Sequence, residues 1–288
     1  MWQRLQELFE SFVNWLKSLE FLSSVRPAPP PPVGSQMPKP RIAIINASQS
    51  MKDAEVAPIV QALQIQVSAH FAPIYGQDAE LVFVKYGQNP PPGAWWLVFL
   101  DSSDVAGALG YHDLTNEGLP MGKVFAGTDL QYGNLPSVTA SHELLEMLGD
   151  PYCGTSVQRG GTRFYAYEVS DAVEADNLGY PVKVSGGFVK VSDFVYPAWF
   201  SDAGTGKMDY CGHVQKPFEL APGGYISYLG LSAGEGWQQE FAQKDSAVQD
   251  PQSRARVGSR RERRRTPLRQ WVKSEAHTQL PGSRTQSV

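Results

Sequence analysis

The chain has 288 residues, 42% hydrophobic and 11% aromatic, which is enough apolar material for one large domain or two small ones. Its net charge of −4 hides an asymmetry: residues 251–288 carry ten Lys/Arg against two Asp/Glu, leaving −12 on the first 250 residues and predicting separate roles for an acidic body and a basic tail. Two cysteines, Cys153 and Cys211, exclude a disulfide framework but leave open one bridge or two thiols, and the lack of a long apolar run excludes a membrane-spanning helix.

Residues 1–24 predict an amphipathic helix. Trp2, Leu5, Phe9, Phe12, Leu16 and Leu19 recur in steps of three and four, and Leu8, Trp15 and Leu22 widen that face. Such a helix can pack on the body, lie on a membrane surface or pair with a copy of itself. Arg4, Glu7, Glu10, Lys17 and Glu20 interrupt the apolar positions, so no signal peptide is expected, and the location is read as cytoplasmic or left open. Residues 25–40, containing "RPAPPPPVGSQMPKP", predict an extended polyproline spacer, since proline fixes the backbone and has no N–H to donate.

The body, 41–242, opens with "RIAIINA", a buried strand. "VAPIVQALQIQVSAHFAPIYG" follows as a helix with Val56, Ile59, Val60, Leu63 and Val67 on one side. Pro58 is expected in its first turn, where the missing N–H costs nothing. "AELVFVKYG" and "WWLVFLD" predict two more strands. "SDVAGALGYHDL" predicts a Gly-rich turn and a strand, and "KVFAGTDL" another strand. A helix over "SVTASHELLEMLGDP", Ser137 to Pro151, comes next. After it the chain reads as loop-rich, with "YEVSDAVEAD", a hairpin through "GYPVKVSGGFVKVSDF", then "YPAWF" and "PFELAPGGYISYL". The order predicts an α+β protein with a mixed sheet. Residues 243–288 lose apolar content and predict a disordered tail. Its Arg260, Arg261, Arg263, Arg264 and Arg265 could bind nucleic acid or an acidic surface. No aromatic residues interleave with that cluster, so no stacking platform for single strands is expected.

The chemistry concentrates on the helix of "SHELLEMLGDP". Residues i and i+4 share a helix face, so His142 and Glu146 can point at one metal ion, the first through an imidazole nitrogen and the second through a carboxylate oxygen. Glu143 lies on the adjacent stripe, where it could take a proton from a water acidified by the ion. Gly149 and Pro151 predict the helix end, so Asp150 is expected to orient a ligand rather than to bind. A third ligand is sought in "YEVSDAVEAD". If helical, this segment sets Glu168, Asp171 and Glu174 on one face, with Val169 and Val173 turned toward the body. The alternatives are a solvated acidic face and a plain hydrogen-bonded His142–Glu146 pair.

"HELLEMLGDP" after a strand–helix–strand series resembles the active-site helix of the zincin-like metallopeptidases. The resemblance implies that His142 is a zinc ligand and Glu143 the general base. It implies that Glu146 fills the position where that group has its second histidine. In the branch whose third ligand is a downstream glutamate, Glu168 matches best in spacing, with Asp171 and Glu174 as competitors. The metzincin branch would place its third ligand at Tyr152, a poor zinc donor. Carboxylate in place of imidazole adds negative charge around the ion and shifts preference toward harder cations.

Other candidates are His112 and Asp113 in "GYHDL", which could reach the site or pair locally, and Asp193 beside Tyr196, Trp199 and Phe200. Ser137, Ser141 and Cys153 carry no nucleophile signature. The reading favoured is a metal-dependent hydrolase, with Zn²⁺ or another divalent cation and a peptide or protein substrate. One alternative is a non-catalytic zincin-like binding or scaffold module that associates through its N-terminal helix and Arg-rich tail. Another is a nucleic-acid or assembly protein whose tail does the work.

Overall fold

The computed structural model describes residues 39–104, 108–232 and 236–242. All belong to the unit that begins at Lys39. The N-terminal helix expected over 1–24, the linker as far as residue 38 and the basic tail from 243 lie outside the described residues.

The fold is mixed α+β. Its principal sheet is built from β1 (Arg41–Asn46), β2 (Glu80–Val84), β3 (Trp95–Leu100), β4 (Gly110–Leu114) and β5 (Pro120–Phe125) in the order β2-β1-β3-β5-β4. The first four strands in that order run parallel, and β4 closes one edge antiparallel to β5. β1 is apolar on both faces, as a strand covered on both sides must be. Ile42 and Ile44 pack in the larger core with Leu97, Phe99 and Val124, while Ala43 and Ile45 turn to a smaller one with Val98, Leu100, Tyr111 and Phe125.

Two helices cover the larger core. α1 (Asp53–Ile65) buries Val56, Ile59, Val60, Ala62 and Leu63. It begins earlier than its apolar pattern suggests, because Glu55 reaches back to the Lys52 amide at 2.7 Å and caps the first turn. Pro58 therefore lies inside the helix, not in the first turn. α1 runs into a π-helical turn, Gln66–Phe71, and a short α2 (Ala72–Tyr75). A π-turn inserts a residue and rotates the face that follows. Here it points Gln66 into the interior, where its amide donates to the Ser192 carbonyl at 2.8 Å and accepts from Ser141 Oγ at 2.6 Å.

The second strand expected over "KVFAGTDL" is only half a strand. β5 stops at Phe125 and residues Ala126–Tyr132 form α3. Asp129 of α3 is fully buried and accepts from Thr139 Oγ1 at 3.0 Å, which ties α3 to the helix after it. That helix is α4 (Pro136–Gly149), and it carries the His-Glu motif.

The loop-rich stretch after α4 contains more strand than its composition suggests. β6 (Ser156–Arg159) and β7 (Arg163–Ala166) form a hairpin across Gly160 and Gly161, both in the left-handed region with φ of 62° and 78°. With β10 (Tyr225–Gly230) and β11 (Gly236–Phe241) they make a second sheet in the order β11-β10-β7-β6. The expected later hairpin is present as β8 (Tyr180–Val184) and β9 (Gly187–Val191), which pack against α1 and α4. Among the described residues no helix is long and apolar enough to cross a membrane.

Candidate metal centre

α4 presses directly onto β4 and β5. A Cβ added at Gly110 would lie 2.8 Å from the Lys123 carbonyl oxygen, 2.8 Å from Thr139 Cγ2 and 2.9 Å from Glu143 Cγ. Any larger residue there would push the helix off the sheet. From the other side, Ser141 Oγ accepts from the Ser192 amide at 3.0 Å while donating to Gln66. The helix is thus held between the sheet edge and the β9 segment, and its polar stripe is fixed in place.

On that stripe His142 Nε2 lies 3.1 Å from Glu146 Oε1, as the i, i+4 spacing requires, and 3.2 Å from Asp171 Oδ1. The three donor groups all lie within 4.8 Å of one another. Glu146 is fully buried, and the His142 side chain is 12% exposed. Glu146 turns its other oxygen toward His112 Nδ1 at 3.6 Å, and Glu143 Oε2 approaches the same nitrogen at 3.8 Å. His112, Glu143 and Glu146 form a second compact group that shares Glu146 with the first. His112 comes from β4, the antiparallel edge strand, which places it beneath the helix.

The carboxylates around His142 favour positive charge on its ring. Burial alone would lower the His142 imidazole. The Glu146 charge, hydrogen bonds to Asp171 and Glu146 and the Glu143 charge overcome it and push the group up to about 10. Ligands bound tetrahedrally at zinc distances sit roughly 3.4 Å apart, close to the observed separations of 3.1 and 3.2 Å. One imidazole and two carboxylates fit zinc, and the excess of oxygen also fits a harder divalent ion.

The third member of the group is Asp171, not Glu168, which the sequence spacing favours. The segment is not an α-helix. Val195 donates its amide to the Val169 carbonyl at 2.7 Å and Ala221 donates to the Ala172 carbonyl at 3.0 Å, so these carbonyls serve other segments. Only a single 3₁₀ turn forms, Asp171–Val173, with Val169 and Val173 fully buried. Glu168 and Glu174 are buried on the same segment but stand outside the cluster with His142. The expectation that one helical face presents all three acids is therefore corrected.

Asp150, expected to orient a ligand, binds the turn that follows the helix. Its carboxylate accepts from the Gly154 amide at 2.9 Å, the Thr155 amide at 2.9 Å and Thr155 Oγ1 at 3.0 Å, closing the turn after α4. Asp113 accepts from the Leu114 amide at 2.8 Å, while its neighbour His112 joins the cluster. Asp193 stands elsewhere, 2.8 Å from His213 Nδ1, and burial followed by the hydrogen bond and charge of Asp209 raises its carboxyl to about 7. Trp199 and Phe200 are core residues, and Tyr152 is largely exposed. Cys153 and Cys211 are not joined in a disulfide, and buried Cys153 lies 3.9 Å from the His112 carbonyl.

His213 and Asp209 went unread in the sequence, and Cys211 was read only as a thiol or a bridge partner. Their alternate spacing in "DYCGH" was the available signal. At the carboxyl ends of β1 and β3, where open parallel sheets commonly receive ligands, Asp101 is tied to the loop after β1. Asp101 accepts there from Ser48 Oγ at 2.6 Å, the Gln49 amide at 2.9 Å and the Ser50 amide at 2.8 Å.

Compared with protein-family models, with curated proteins and with solved structures, the chain finds no match.

Proposed function

We propose that the protein is a metal-dependent hydrolase of the zincin-like type, acting on peptides, with Zn²⁺ or another divalent cation held by His142, Glu146 and Asp171. The observation that carries the reading is the meeting of the α4 stripe with the Asp171 turn: an imidazole and a carboxylate one helical turn apart, and a second carboxylate remote in sequence, all within 4.8 Å of one another. The order of elements supports it too, since a strand–helix–strand series and a further parallel strand precede the motif helix. When bound, the ion supplies a Lewis acid and lowers the pKa of a water toward neutrality. Glu143 holds a carboxylate beside the ligands and accepts the proton as general base. His112 keeps Glu143 and Glu146 oriented from below.

The test pairs metal analysis of purified protein with cleavage of a peptide library. Glu143→Gln is expected to keep the metal and lose roughly 10²–10⁴ in kcat. His142→Ala is expected to lose the activity and the ion held at this centre. A folded wild-type protein that takes up no divalent ion overturns the reading.

A second reading is favoured by burial. Glu146, Asp171 and Glu143 expose 0%, 4% and 5% of their side chains, an enclosure that suits an ion held for structure. On that reading the metal is present, no peptide is cleaved, and Glu143→Gln changes only ion affinity.

A further inference from the structure

Two segments outside the centre described above converge on another set of donors. Beyond β9 the chain stays extended through Asp193, and Val195 bridges antiparallel to Asp209. The Tyr196 amide donates to the Met208 carbonyl at 2.7 Å and the Tyr210 amide to the Phe194 carbonyl at 2.9 Å. Two residues along from the bridge on each segment, that register sets Asp193 opposite Cys211. The Cys211 amide duly donates to Asp193 Oδ1 at 3.1 Å.

Asp209 then folds the chain back. Its Oδ2 accepts from the Gly212 amide at 2.8 Å and the His213 amide at 2.7 Å, and its Oδ1 from the Val214 amide at 3.3 Å. Gly212 takes a left-handed φ of 88° in this turn. The turn returns His213 to Asp193, with Nδ1 2.8 Å from Oδ2. Backbone amides of Phe194 and Cys211 occupy Asp193 Oδ1 at 2.8 and 3.1 Å, so Oδ2 is the oxygen that faces His213.

As a result an Asp193 carboxylate oxygen, Cys211 Sγ and a His213 ring nitrogen lie within 4.8 Å of one another, with Asp193 buried and the other two at the surface. Thiolate, imidazole and carboxylate are the three side-chain donors of zinc, whereas calcium and magnesium take oxygen alone. Two protein donors on a hydrogen-bonded turn and a third on the facing segment, with solvent on the fourth side, match a zinc site that keeps a position open.

We propose that Asp193, Cys211 and His213 form a second metal site, selective for zinc or a similarly thiophilic divalent cation and open to solvent at its fourth position. Asp209 shapes the turn that presents two of its three ligands. The two centres then sort metals by donor chemistry: the oxygen-rich His142 centre accepts hard ions, and the sulfur-bearing one excludes them.

The test is a Co²⁺ titration of the full-length protein, read by the thiolate-to-cobalt charge-transfer absorption in the near ultraviolet. The absorption is expected to saturate at one equivalent in His142→Ala and by two equivalents in wild type, to vanish in Cys211→Ser, and to be displaced by Zn²⁺ but not by Mg²⁺. His213→Gln is expected to weaken Zn²⁺ binding at least about tenfold. Circular dichroism of Cys211→Ser, an exposed position, confirms that the fold is retained. Absence of the band from wild type overturns the proposal, as does a band that survives Cys211→Ser and is lost in Cys153→Ser.

Discussion

His142 meets two carboxylates, and only one of them was fixed by local spacing. Glu146 lies one helical turn away at 3.1 Å, whereas Asp171 arrives at 3.2 Å on a separate segment. If both hold the ion, Asp171→Asn should weaken divalent-cation binding by about 10- to 100-fold, while Glu168→Gln leaves it unchanged; isothermal titration of each variant distinguishes them. Sequence periodicity could pair His142 with Glu146 because helix geometry is regular. It could not choose among Glu168, Asp171 and Glu174, because the choice depends on the Val195 and Ala221 amides that prevent a helix there.

Asp101 supplies a second test at this scale. Burial opposes its charge, but the Ser48 hydroxyl and the Gln49 and Ser50 amides prevail and hold it below its ordinary value of 3.8. A carboxyl depressed in the folded state stabilises above the unfolded pKa and loses that contribution as pH falls through the folded one. Asp101→Asn is expected to cost about 1–3 kcal/mol at pH 7, with a smaller gap from wild type in urea midpoints at pH 3.

Elements set the site by how closely they approach. α4 can lie on β4 only because Gly110 has no Cβ, given neighbours at 2.8 and 2.9 Å. Gly110→Ala should destabilise by about 1–3 kcal/mol through overpacking and weaken ion binding together with it. Gly154→Ala, whose nearest neighbour is the Tyr152 carbonyl oxygen at 3.7 Å, should do neither. Urea denaturation of both variants reads the difference. At this scale the parallel strands and the motif helix were legible, since their apolar runs and 3.6-residue pattern are long. α3 was not, because "KVF" and "AGTDL" join without a break and the change of direction after Phe125 is set by buried Asp129. Nor was the start of α1, which a capping glutamate at 55 moves ahead of Pro58. The β6–β7 hairpin was hidden by its glycines, which read as loop although two of them make the turn.

For the whole molecule, one unit from Lys39 onward carries a sheet, a second sheet and a hairpin around one large core, and both groups of metal donors belong to it. Ion binding should therefore stabilise the whole cooperative unit. A cation at 100 times the Kd of the His142 centre is expected to add about 2.7 kcal/mol through that centre, seen as a rise in Tm that is larger in wild type than in His142→Ala. The strand order and the meeting of α4 with the Asp171 turn were beyond the sequence, because they follow from pairings between residues far apart in the chain. The most direct measurement is the metal content of wild type and of the His142→Ala/Asp171→Ala double variant, taken by mass spectrometry after equilibration with divalent ions and desalting. The expected result is one equivalent more in wild type than in the variant; equal content in two folded proteins would contradict a metal centre at His142.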